Sequence, residues 1–171
     1  FHASLQDKEH LYLLTNFFQG GDLLTLLEAD NGVRLNSPAE DGVLSEHAAK
    51  FYLAEAAAAL AVLHDAGFAH GDVKPDNIVL DATGHVSFVD FGSCVALASE
   101  VPHTAELTAD YAAPELLTAK GVDSHSQSRK DKSDWWSLGV CMYEMMIGTL
   151  PFTVDGPVSA THKSIVEHST T

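Results

Sequence analysis

Four polar side chains in this sequence have the types and spacing to move a phosphoryl group. Asp72, Lys74 and Asn77 fall within the stretch His70-Gly71-Asp72-Val73-Lys74-Pro75-Asp76-Asn77, and Asp90 follows in Asp90-Phe91-Gly92. Phosphoryl transfer needs little covalent help, so a protein contributes by positioning the nucleophile and neutralising phosphate charge. Asp72 could accept a proton from, or orient, a substrate hydroxyl. Lys74 could aim its ammonium at the group in transit. Asn77 and Asp90 offer the hard oxygen ligands that suit magnesium. A third tripeptide, Ala113-Pro114-Glu115, comes later. Each motif alone is weak, and the bland reading of the four side chains is a solvated turn. Three motifs in one order at compatible spacing are specific.

The elements that must position these residues are legible as patterns. His10 to Phe18 is rich in Leu, Tyr and Phe and runs into Gly20-Gly21, which predicts a buried strand closed by a turn. Asp22 stands where an N-cap would, ahead of a helix whose apolar face is Leu23, Leu24, Leu26 and Leu27. Glu28 to Glu46 mixes Asp, Asn, Gly, Ser and Pro and reads as a polar surface loop. Ser45 is placed to cap the next helix, which runs through Phe51, Tyr52, Ala56, Leu60 and Leu63 and stops at Gly67. The alanines at 56 to 59 would let a neighbouring helix come close. Strands are expected at Ile78 to Leu80 and Val86 to Val89, joined by a tight turn at Asp81-Ala82-Thr83-Gly84. The catalytic candidates therefore sit on turns flanking short strands. A third long helix, Asp134 to Ile147, opens at Ser133 and Asp134. It is apolar around nearly its whole circumference, which predicts a central, buried position. From Thr153 onward the periodicity fades.

Composition narrows the partners. With 171 residues the chain is long enough for one domain with a core and short for a complete two-lobed enzyme. A formal charge of −15 argues against nucleic acid or an anionic membrane and suits a basic peptide substrate, although acidity also serves solubility. Cys94 and Cys141 have no Cys-x-x-Cys spacing, so a reducing cytoplasm is expected rather than a zinc site or a disulfide framework. No secretory signal opens the sequence, and the apolar run Phe51 to Leu63 is shorter than the roughly 20 residues a membrane span requires. The ten histidines show no metal-binding spacing and read as scattered surface residues.

The motifs together resemble the catalytic loop, metal-binding loop and segment end of a protein kinase. The chain is similar to the serine/threonine kinases of the AGC group, and among them to the subfamily of myotonic-dystrophy kinase, Rho-associated kinases, MRCK and citron kinase. The closer resemblance rests on Leu11-Tyr12-Leu13, the stretch Gly20 to Leu27, Phe51-Tyr52-Leu53-Ala54-Glu55, Asp90-Phe91-Gly92-Ser93-Cys94 and Asp134 to Val140. It implies an α+β kinase-like fold comprising the hinge strand and the mostly helical large lobe, without the small lobe and the last helices. Residues 1–27 would be hinge and lobe entry, 28–46 the polar loop and 47–171 the large lobe. It implies ATP and Mg2+ as cofactors and a protein Ser/Thr hydroxyl as acceptor, the latter from Lys74. It places Thr15 as gatekeeper, Asn16 and Phe18 facing adenine, Asp22 near the ribose, Val79 beneath the base, and Asp76 among the nucleotide-binding residues. Asp134 would brace the catalytic-loop backbone, and His70 with Phe91 would support the metal loop. Small-GTPase-linked regulation would act through regions outside this chain.

The sequence also departs from that pattern. Gly71 stands where relatives carry an Arg that pairs with a phosphorylated residue of the activation segment, here expected at Thr104. Leu107-Thr108-Ala109-Asp110-Tyr111 replaces a Gly-Thr-Pro-Asp-Tyr while keeping Thr108 available to Asp72 and Lys74. The resemblance also implies a Gly-x-Gly-x-x-Gly loop and a strand Lys, expected ahead of Phe1, and last helices that would supply an Arg partner for Glu115, expected beyond this sequence. The expectation is a fragment of a kinase. The alternative is a non-catalytic, pseudokinase-like interaction module.

Overall fold

The computed structural model describes residues 1–28, 39–40, 43–99, 108–117 and 130–168. Its first strands, β1 (Ala3–Gln6) and β2 (Leu11–Leu14), form an antiparallel ribbon with Ala3 opposite Leu14. β2 falls inside the predicted strand but is not buried: Leu11, Tyr12, Leu13 and Leu14 are all exposed. A two-stranded ribbon that pairs with no third strand among the described residues leaves both of its faces open.

β3 (Gly21–Asp22) leads directly into α1 (Leu23–Glu28), where Asp22 Oδ1 accepts the Thr25 amide at 2.6 Å as the N-cap the sequence predicts. Leu23, Leu26 and Leu27 are the buried face. Within the expected polar loop, β4 (Ala39–Glu40) and β5 (Val43–Leu44) pair as a short hairpin. α2 (Glu46–Asp65) is capped by Ser45, whose Oγ accepts the Ala48 amide at 3.2 Å. It ends before Gly67, whose φ of +87° turns the chain out of the helix.

After β6 (Phe68–Ala69) come β7 (Ile78–Leu80) and β8 (Val86–Phe88) at the expected places. β7 is the centre of a three-stranded sheet ordered β3-β7-β8. The β7–β8 turn is tied by Asp81, whose Oδ1 accepts the amides of Thr83 and His85 and the Thr83 hydroxyl. β9 (Val95–Ala96) pairs with β6, and α3 (Pro114–Leu117), α4 (Lys130–Ile147) and α5 (Val158–His168) follow.

The core gathers Leu23 and Leu27, Ala56 and Leu60 of α2, Val73, Ile78 and Leu80, and Leu138, Cys141 and Met145 of α4. α2 packs on α4, and Ala56 of the alanine run is buried. α4 differs from expectation twice. It begins at Lys130, so Ser133 and Asp134 lie inside it. It is also not buried all round: α2, β5, β6 and the 3-10 turn Ala109–Tyr111 pack on it, while Trp135, Met142, Tyr143, Met146 and Ile147 are exposed. α5 was not legible in the sequence. Only Thr161 and Ile165 are buried in an otherwise polar run, too few to show a helical period.

Candidate active site

The loop between β6 and β7 is fixed from below by α4. Asp134, almost fully buried, accepts the His70 amide at Oδ2 (2.8 Å) and the Gly71 amide at Oδ1 (2.9 Å). Gly71 has a φ of +81°, a left-handed conformation that suits glycine. His70 is fully buried between Phe88 and Phe91, each ring centroid 5.1 Å away. Its Nδ1 accepts the Asp72 amide (3.4 Å), so Nε2 carries the proton and donates to the Val89 carbonyl (3.0 Å). The loop backbone is thereby tied both to α4 and to the end of β8.

Above this support the candidate catalytic side chains meet. Lys74 Nζ lies 2.9 Å from Asp72 Oδ2 and donates to Thr108 Oγ1 at 2.9 Å. Thr108 Oγ1 in turn donates to Asp72 Oδ1 at 2.7 Å. Asn77, buried in a 3-10 turn over Pro75–Asn77, donates Nδ2 to the Asp72 carbonyl (2.8 Å) and to Asp72 Oδ2 (3.0 Å). Burial is the largest single influence on the Asp72 carboxyl and pushes it up. The Lys74 and Thr108 hydrogen bonds, the Lys74 charge and the Asn77 hydrogen bond outweigh that and leave it below the ordinary value of 3.8. Asp72 is therefore an oriented carboxylate.

Asp90 reaches the same region through the sheet. The β7–β8 ladder pairs Ile78 with Phe88 and continues one step, the Val89 amide donating to the Asn77 carbonyl at 3.0 Å. Asp90 is thus one residue from the partner of Asn77. It is exposed, adopts a left-handed φ of +57°, and accepts the Gly92 amide at Oδ1 (3.2 Å). Because Asn77 commits its amide nitrogen to Asp72, the carbonyl oxygen is the atom it can offer a cation, and Asp90 carries a carboxylate one residue beyond Val89, the backbone partner of Asn77. That pair of hard oxygen donors fits magnesium.

The predicted nucleotide residues divide into two groups. Asp22 and Val79 are direct partners across β3 and β7. The preceding Gly20 lies so close to β7 that a Cβ there would fall 2.5 Å from Leu80 Cβ and 2.8 Å from the Leu80 carbonyl oxygen. Phe18 is half-buried beside this junction, its carbonyl accepting the Gly21 amide. Thr15 and Asn16 stay on the exposed stretch after β2, Thr15 Oγ1 donating to the Asn16 carbonyl and Asn16 Oδ1 meeting His2. Asp76 is exposed and near enough to Glu144 to raise its carboxyl. Thr104 lies outside the described residues.

Sequence reasoning missed the anchors of the segment around Thr108. Ser137 Oγ donates to the Tyr111 carbonyl at 2.8 Å, and Tyr111 donates its hydroxyl to Glu144 Oε2 at 2.6 Å. Burial raises the Glu144 carboxyl first, and Asp76, Asp110 and Glu28 raise it further against the lowering hydrogen bond from Tyr111. It also missed His64. The expectation of surface histidines fails there and at His70, because His64 is half-buried, His70 is fully buried, and both are hydrogen-bonded.

The family model described as "Protein kinase domain" matches residues 1–170. The chain is 41% identical over 170 residues to human "Serine/threonine-protein kinase MRCK gamma", covering 98% of this chain and 10% of that protein. It is likewise 41% identical to Caenorhabditis elegans "Serine/threonine-protein kinase mrck-1" (98% and 10%) and to mouse "Serine/threonine-protein kinase MRCK alpha" (98% and 9%). It spans about a tenth of the length of these curated relatives.

Proposed function

This chain belongs to the protein kinase family, and from that premise we propose that the protein containing it transfers the γ-phosphoryl group of ATP to Ser or Thr hydroxyls of proteins. The observation that carries the reading is the closed set of hydrogen bonds joining Asp72, Thr108, Lys74 and Asn77. The acceptor hydroxyl attacks the γ-phosphorus as the bond to the β–γ bridging oxygen breaks, and its proton passes to Asp72. Low basicity is no handicap there, since in a loose transition state the proton leaves late and Asp72 serves first to orient the hydroxyl. Lys74 offsets charge on the transferred group. Asn77 and Asp90 would hold magnesium, which neutralises charge on the phosphates. Asp22 and Val79, on the paired strands, would meet ribose and base, with Thr15, Asn16, Phe18 and Asp76 completing the nucleotide site.

The described elements correspond, in this reading, to the hinge strand and large lobe, divided at 1–27, 28–46 and 47–171. The small lobe and last helices would come from sequence outside the chain. The exposed apolar residues of β2 and of the outer side of α4 support that assignment. A basic protein substrate fits the net charge of −15 and the carboxylates of Glu28, Asp76 and Asp110, each of which raises the Glu144 carboxyl. Free thiols at Cys94 and Cys141 suit a cytoplasmic setting. No described helix is long and apolar enough to cross a membrane. Small-GTPase-linked regulation outside the chain rests on the family resemblance.

The test is phosphate transfer from labelled ATP by the full-length protein to paired peptides differing only in Ser, Thr or Tyr as acceptor. Magnesium-dependent labelling of the Ser and Thr peptides, stronger with basic flanks, is expected. Labelling of Tyr alone, or of none, contradicts the reading.

A further inference from the structure

The segment that brings Thr108 to Asp72 is gripped from a second side. Thr108 precedes the 3-10 turn Ala109–Tyr111, the position from which a Thr hydroxyl caps a helix start, but that hydroxyl is committed to Asp72 and Lys74 and makes no cap bond. The turn is held by its other residues instead. α4 takes the Tyr111 end, through Ser137 and Glu144. The middle residue, Asp110, accepts the Thr153 hydroxyl at Oδ1 (2.5 Å) across 43 residues of sequence, and α5 packs on the same turn. That length falls in the range of a hydrogen bond from a hydroxyl to an ionised carboxylate.

Thr153 lies in the connection between α4 and α5 and is exposed, a setting in which a hydrogen bond usually contributes little because the groups that make it must first be ordered. Here the neighbouring residue supplies the order. The Phe152 ring stacks on Trp136 of α4, with centroids 5.6 Å apart and planes 16° from parallel, and Phe152 and Leu150 both pack against the core. The Thr153 backbone is thereby set before its hydroxyl reaches Asp110. Both ties on the turn trace back to α4, one directly at Tyr111 and one through Phe152 and Thr153 at Asp110.

We propose that Thr153 is a positioning residue for phosphoryl transfer, acting through Asp110 to hold the Ala109–Tyr111 turn and so the Thr108 hydroxyl between Asp72 and Lys74. The role in transfer rests on the kinase reading. The tie itself is a statement about the two backbone bonds of the turn, from the Tyr111 amide to the Thr108 carbonyl (3.1 Å) and from the Ala112 amide to the Ala109 carbonyl (3.3 Å). In the full-length protein, amide hydrogen exchange at Tyr111 and Ala112 is measured alongside steady-state phosphoryl transfer. The proteins compared are wild type, Thr153→Val, Thr153→Ser, Asp110→Ala and the Thr153→Val, Asp110→Ala double variant. Thr153→Val keeps the shape and removes the donor, so it should speed exchange at both amides about fivefold, the equivalent of one lost hydrogen bond, while the amides of β7 keep their protection. It should lower kcat by a similar factor with KM for ATP unchanged, and Thr153→Ser should restore both. In the Asp110→Ala background Thr153→Val should change neither, since the two residues act as one pair. Unchanged exchange at Tyr111 and Ala112 overturns the proposal. So does a Thr153→Ser variant that restores nothing, or a Thr153→Val loss that persists at full size without Asp110. Acceleration spread equally over the turn and β7, which marks a merely structural role, also overturns it, as does altered exchange with unaltered kcat in an active enzyme. A wild type with no transfer activity that still shows the localised exchange effect overturns the kinase reading and leaves the tie in place.

Discussion

Thr108 bridges to Asp72 across 36 residues of sequence, its hydroxyl donating at 2.7 Å to one carboxylate oxygen while it accepts from Lys74 at 2.9 Å. One hydroxyl thus fixes both the carboxylate and the ammonium of the proposed transfer site. It does so from the segment that Ser137 and Glu144 tie to α4 through Tyr111. The site is assembled from two distant loops, each anchored on the same helix.

Replacing Thr108 by Val keeps the shape and removes the hydroxyl, leaving Lys74 and Asp72 in contact without their shared partner. Phosphoryl transfer should fall about 10–100-fold, the rate equivalent of a lost charge-assisted hydrogen bond, and Thr108→Ser should retain most of the wild-type rate. Steady-state kinetics on the three proteins check this. Equal losses in Val and Ser variants would assign the effect to packing.

The lowered carboxyl of Asp72 fixes the sign of a pH effect. A folded-state value below the unfolded one contributes stability above the unfolded pKa of about 3.9 and loses it as pH falls through the folded value. No acid limb from Asp72 is therefore expected in kcat between neutrality and the ordinary carboxylate value of 3.8. A pH–rate profile of wild type against Thr108→Val should show any acid limb moving upward in the variant, since one of the lowering hydrogen bonds is gone.

Glu144 carries the opposite sign. A carboxyl raised by burial and by Asp76, Asp110 and Glu28 stabilises most below the unfolded pKa and less as pH rises through the folded one. Glu144→Gln keeps an acceptor for Tyr111 and removes the charge, so thermal denaturation at neutral pH should show no loss of stability. Glu144→Ala strands the Tyr111 hydroxyl and should cost about 1–3 kcal/mol. If the acidic group reads a basic substrate, Glu144→Gln should also raise KM for a basic peptide and leave KM for ATP unchanged.

Two glycines have separable roles. At Gly71, any L-residue enters a left-handed conformation at φ +81°, and Gly71→Ala should cost about 1–2 kcal/mol in a urea titration. At Gly20 the obstacle is contact with β7 rather than a positive φ, because a Cβ would strike the Leu80 backbone. Gly20→Ala should cost about 1–3 kcal/mol and weaken nucleotide binding by shifting Asp22 from Val79.

Much of the scaffold was written locally. Ser45 before an apolar helical run, Asp22 before four leucines, and Asp81 with Gly84 between two β-rich triplets each specify an element through neighbours in sequence, and each appears where expected. Three of the candidate catalytic residues were legible as a group for the same reason, since Asp72, Lys74 and Asn77 share one loop. What sequence patterns did not carry was exposure and long-range anchoring. Leu11 to Leu14 look like core residues and lie open on a ribbon, and Trp135 and Met146 look central and face outward. His64 to Asp134 and Tyr111 to Glu144 join residues far apart in the chain, with no periodicity to announce them.

The most direct test of the central claim is single-turnover phosphoryl transfer by the full-length protein with magnesium and ATP, comparing wild type with Asp72→Asn. The side chains are nearly the same size, and the change removes the proton acceptor while leaving magnesium and nucleotide binding to other residues. A fall of about 100-fold or more in the transfer rate, with ATP still bound at wild-type affinity, is the predicted result. Transfer at the wild-type rate by the variant would contradict the account.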